Sequence, residues 1–219
     1  MNPGGISLKG YVSVSDNQEK PAGKVPNSVM RDLLLFLDRQ LGHGAYRGVL
    51  NLAGMHAYLR ALPPNNMHEE VNAADYLAVL GGLQDYYDER GAAAVLRELG
   101  RSTVRRAVIH AVGLAEQTGS LDGKQLLRLA LNALAQSTAL GDRRLILLQD
   151  SGDMLLVSTR QPACWAPDPK GRACEVVMGA MRGSLEMVSG RPLQVRAIAC
   201  CLNGAHHCVF EVARAGRWR

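Results

Sequence analysis

Between Met30 and Leu41 the chain places Met30, Leu33, Leu34, Leu35, Leu37 and Leu41 at intervals of three and four, the spacing that gives a helix one apolar face. Asn27 and Ser28 can cap this helix, and Gly42 with Gly44 is expected to stop it. A second helical stretch, 49–59, ends before Pro63 and Pro64. The next, 73–86, keeps Tyr76, Leu77, Val79, Leu80 and Leu83 for burial. Residues 91–117 read as one long helix, or as two with a break near Gly100. Asp122 can cap a further helix over 124–140, whose buried side holds Leu126, Leu127, Leu129, Leu131 and Leu134.

The texture changes at Gly141. Residues 144–149 and 154–160, separated by Asp150-Ser151-Gly152-Asp153, predict an antiparallel hairpin. A Pro- and Gly-rich loop with Cys164 follows, then a helix over 175–189 closed by Gly190. Two last strands meet around Asn203-Gly204. This order predicts an α+β fold: an N-terminal helical half packed on a small antiparallel sheet, with a helix inserted between two C-terminal hairpins. Residues 1–26, rich in Gly, Pro, Ser, Asn and charge, read as a flexible arm or at most an edge strand. The domain is expected over 27–213, with a basic tail at 214–219.

Composition narrows the function classes. The net charge is +5, but the basic residues are interleaved with acids outside the tail, and two Trp with two Phe offer no stacking platform, so no nucleic-acid partner is expected. No apolar run is long enough for a membrane span, and the N-terminus lacks the order of a signal peptide. Five cysteines are an odd and sparse set, unlike a secreted disulfide framework, which places the protein in a reducing cytoplasm. Neither a phosphate loop nor a Gly-x-Ser-x-Gly elbow occurs, so no catalytic residue is assigned and the balance leans away from an enzyme. His56 and His110 lie in helices amid apolar neighbours and are read first as hydrogen-bonded histidines.

The stretch Ala199 to Cys208 holds three of the five cysteines and two of the six histidines. A three-residue loop, Asn203-Gly204-Ala205, would pair Leu202 with His206, Cys201 with His207 and Cys200 with Cys208. Because side chains alternate along a strand, Cys200, Cys208 and His206 then share one face, and Cys201 and His207 the other. Cys200 and Cys208 can be small core residues or metal ligands, and the hairpin alone leaves both open. Cys174 stands at the start of the 175–189 helix, where the helix dipole is expected to lower a thiol's pKa.

Cys174, Cys200 and Cys208, together with Gly183, Gly190-Arg191, Gly204 and Cys208-Val209-Phe210, resemble the string of the 4-vinyl reductase-like domain family. The resemblance spans about Met30 to Val212 and is more specific in its C-terminal part. It implies a fold shared with the sensor domains of phenol- and xylene-responsive regulators and, more distantly, with subunits of the TRAPP tethering complexes. It also implies a homodimer paired through helices. In the sensor branch a zinc ion is held by three Cys and one Glu; the three Cys match Cys174, Cys200 and Cys208, while Ala197 stands at the Glu position. Cys164 is the favoured fourth ligand of a closed, structural zinc site, with His206 its competitor.

The expected function is binding of a small hydrophobic or aromatic ligand between the helices and the C-terminal sheet. A tetrapyrrole carrier or 8-vinyl reduction factor of bacteriochlorophyll biosynthesis is the second reading, carried by the family name. A dimeric scaffold that docks partners is the third.

Overall fold

The computed structural model describes residues 23–118, 146–150, 154–159, 172–190, 193–200 and 208–213. Strand β1 (Lys24–Pro26) pairs antiparallel with β2 (Glu69–Asn72), Val25 opposite Val71. Helix α1 (Asn27–Leu41) leaves β1 without a loop, and Pro26 rather than Asn27 holds its N-cap position. The Asn27 side chain is buried and turned across the junction instead. Its Nδ2 donates to Asn66 Oδ1 (3.0 Å) and to Glu70 Oε2 (2.6 Å), while its backbone N–H donates to the His68 carbonyl at 2.9 Å.

The apolar stripe of α1 is buried at Met30, Leu33, Leu34 and Leu37, and Phe36 widens it. Gly42 ends the helix at φ 79°, a conformation that disfavours side chains with a Cβ. Helix α2 (His43–Leu52) begins at once, so Gly44 lies inside it rather than at a stop. A short 3-10 turn (His56–Leu59) replaces the end of the expected 49–59 helix. Helix α3 (Ala73–Tyr86) buries Tyr76, Leu77, Val79, Leu80 and Leu83 as its spacing predicts. Gly82 of α3 lets the backbones of α2 and α3 approach, since a Cβ there would meet the Val49 carbonyl.

Helix α4 (Glu89–Thr118) is continuous through Gly100. It packs along helix α5 (Arg172–Ser189), the helix between the two halves of the four-stranded sheet. Gly100 of α4 faces the Val176 carbonyl, and Gly179 of α5 faces the Arg97 carbonyl. This seam is therefore closed at backbone contact. Strands β3 (Ile146–Asp150), β4 (Met154–Thr159), β5 (Gln194–Ala199) and β6 (Cys208–Ala213) form an antiparallel sheet in the order β3-β4-β6-β5. The α+β reading holds, with the inserted helix where it was expected. The 124–140 helix, residues 151–153 of the expected turn, most of the arm and the tail lie outside the described residues.

Among the described residues, buried side chains separate into two clusters. The first joins α1, α2, α3 and the first half of α4 with Ala173 and Val176 of α5; the second joins Cys174, Val177, Met181 and Leu185 of α5 with Cys208, Phe210 and Val212 of β6 and Val104 of α4. Helix α5 thus contributes one face to each.

Charged groups border the α4–α5 seam. Arg97 Nε donates to Glu175 Oε2 at 2.5 Å, Arg101 pairs with Glu186, Arg182 Nε donates to Glu186 Oε1 at 2.7 Å, and the Leu193 N–H donates to the same oxygen at 3.3 Å. Burial pushes the Glu186 carboxyl up, but Arg182, the Leu193 N–H and Arg101 together hold it below its ordinary value. Such a group stabilises the fold above its unfolded-state pKa, and the contribution is lost as pH falls through the folded one. Glu186→Gln should therefore cost about 1–2 kcal/mol at neutral pH. The gap to wild type should shrink as pH is taken below ~4 in urea titrations.

Candidate functional site

Three thiols converge where α5 meets the sheet. Cys174 lies in the first turn of α5, Cys200 follows β5 directly, and Cys208 opens β6. Register explains the pairing of the last two: Ala197 stands opposite Phe210 and Ala199 opposite Val209, with an irregularity between them, so the next step brings Cys200 to Cys208. Their sulfurs are 3.9 Å apart, and Cys174 Sγ is 3.6 Å from Cys200 Sγ. All three sulfurs lie within 4.8 Å of one another.

Cys174 and Cys208 are buried and Cys200 is half-buried; all three are reduced. Near the helix N-terminus the Cys174 thiol was expected to be easily ionised. The opposite holds: its pKa is raised strongly, first by the side-chain hydrogen bond with Cys208, then by burial and by the neighbouring sulfurs. In an apolar site, neighbouring thiols outweigh the partial charge of the helix end.

Of the other candidates, Cys164, Cys201, His206 and His207 lie outside the described residues. Ala197 is exposed on β5. His56 is exposed, its Nδ1 3.1 Å from Asn51 Oδ1, and His110 lies on α4 with its side chain outside the described ones. Sequence reasoning did not anticipate the Arg196–Glu211 pair, in which Nε and Nη2 of Arg196 each donate to the carboxylate at 2.9 Å across β5 and β6. Opposite charges two residues from buried strand positions were its available signal.

No family model matches the sequence, and no curated protein matches it. Solved structures do match in fold. An H-NOX protein from S. oneidensis in the Fe(II)NO ligation state is 11% identical, covers 87% of this chain and 99% of its own, and gives a TM-score of 0.58. The Fe(II) unliganded H-NOX protein from K. algicida is 9% identical over 89% of this chain and 98% of its own, with a TM-score of 0.57. A structure probing the function of heme distortion in the H-NOX family is 11% identical over 89% and 97%, with a TM-score of 0.54.

Two expectations are corrected by these findings. The neighbours in fold are H-NOX proteins and not 4-vinyl reductase-like domains: the cysteine and glycine spacing that suggested the latter reflects one helix-and-hairpin junction, and does not identify the family. The zinc cofactor expected at Cys164, Cys174, Cys200 and Cys208 is corrected with it, because the neighbours are described in Fe(II) states and, in one case, by their heme. Locally, a closed tetrahedral site needs four donors, and the described residues bring together three sulfurs. At this level of identity the likeness is one of fold, and H-NOX proteins are what the chain resembles in architecture over almost their whole length.

Proposed function

We propose that this chain is a small-molecule-binding sensory domain whose ligand is a small apolar molecule acting at the junction of the helical and sheet clusters. The observation that supports it is the end-to-end likeness in fold to H-NOX proteins captured in different ligation states. Helix α5 gives the reading a physical route, since Ala173 and Val176 belong to one cluster and Cys174, Val177 and Met181 to the other. A ligand that shifts α5 must repack both.

Among the described histidine side chains, none offers heme iron a buried axial donor. Heme iron needs an axial donor aimed into an apolar pocket. His43, His56 and His68 are exposed, with His43 Nδ1 3.1 Å from Asp38 Oδ1 and His68 Nδ1 3.9 Å from Glu70 Oε1. The Cys174 and Cys208 thiols each contact Cys200, and the α4–α5 seam is closed at backbone contact around Gly100 and Gly179.

Organic extraction of the purified full-length chain, followed by mass spectrometry, should return a reproducible apolar compound. After incubation with hemin and reductant and removal of free heme by desalting, the protein fraction should carry no Soret band. A stoichiometric Soret band that disappears in His110→Ala would replace this reading with heme binding. Repeated extracts without any bound compound would remove the ligand altogether.

A further inference from the structure

We propose that Cys174, Cys200 and Cys208 form a trithiol site for a neutral, three-coordinate thiophilic centre, with trivalent arsenic as arsenous acid the species it fits. The site stands on its own geometry and does not depend on the apolar-ligand reading above. Three sulfurs within 4.8 Å, contributed by the start of α5, the end of β5 and the start of β6, can close on one atom by rotation about their side-chain bonds. Arsenic(III) binds three sulfurs in a pyramid with a lone pair at the apex and asks for no fourth donor.

Charge discriminates between thiophilic ions here. The triad belongs to an apolar cluster with Val104, Val177, Met181, Phe210 and Val212. Three thiolates around a monovalent or divalent cation would leave net negative charge buried in it, at substantial desolvation cost. Arsenous acid reacts without that charge: As(OH)3 and three thiols give As(SR)3 and three waters. Three As–O bonds break and three As–S bonds form, each hydroxide leaves with a thiol proton, and no atom changes oxidation state. Cys200, the half-buried member, is the point of entry.

Titration of the reduced full-length chain with sodium arsenite tests this. One arsenic should bind per chain, with arsenic-edge absorption showing three sulfur neighbours. Three of the five thiols should become unreactive to a thiol reagent. Binding in weakly buffered solution should release no net protons. Cys174→Ser, Cys200→Ser and Cys208→Ser should each weaken arsenite by about 100-fold or more, as loss of one arm of a chelate does, whereas Cys164→Ser and Cys201→Ser should not. Protection of two thiols, dependence on Cys164 or Cys201, or tighter binding of cuprous ion in competition would each overturn the proposal. Should a serine variant fail to fold, the wild-type sulfur count and proton balance decide it.

Discussion

Gly100→Ala and Gly179→Ala are each expected to destabilise the protein by roughly 3 kcal/mol, the upper part of the usual range for overpacking. In most helices the same exchange is favourable by about 1 kcal/mol, because alanine loses less backbone entropy. Here the added Cβ at position 100 would fall inside 3.0 Å of the Val176 carbonyl and the Ala180 nitrogen, and at position 179 inside 3.0 Å of the Arg97 backbone. Backbone atoms cannot step aside like a flexible side chain, so α4 and α5 must separate and the two apolar clusters with them. Gly44→Ala in α2 is the control, because its Cβ would meet nothing within 4 Å. That variant should gain about 0.5–1 kcal/mol. Urea midpoints at constant slope check all three. Tolerance at position 100 would mean that the seam opens easily and that a planar ligand has a place between these helices.

These glycines show how sequence and structure divide the information. The stripes of α1 and α3 were readable because apolar periodicity reports burial directly. Gly100 was ambiguous: a glycine inside a helical pattern signals either a break or a close approach, and only the partner helix 76 residues downstream at Val176 decides. Strand β2 was invisible because Glu69, Glu70 and Asn72 are polar and exposed, leaving Val71 as its one buried residue. The Asn27 side chain ties the end of β1 to Asn66 and to Glu70 of β2, contacts that no periodicity reports. The meeting of Cys200 and Cys208 followed from hairpin alternation alone. The approach of Cys174 required the helix to return over the sheet, which a local pattern suggests but does not measure. Family identity was least legible, since cysteine and glycine spacing constrains a local junction more than a whole lineage.

Phe210→Ala should be the most damaging single truncation beside the candidate site, costing about 3–5 kcal/mol. Phe210 is fully buried on the central strand β6, between Val157 of β4 and Ala197 of β5. Ala197 offers no bulk to fill the space, and the strands on both sides limit collapse, so most of the removed volume remains as a cavity. Cys208 lies two residues away on the same face, because side chains alternate along a strand. The loss should therefore be felt at the thiols as well as in global stability. In native buffer the triad should react with a thiol reagent more than about tenfold faster than in wild type, through local opening of the β5–β6 end. Phe210→Leu, which keeps most of the volume, should cost under ~1.5 kcal/mol and leave the thiols protected. Equal protection in the alanine variant would show that the sulfurs are shielded by α5 alone and that the sheet contributes only their placement.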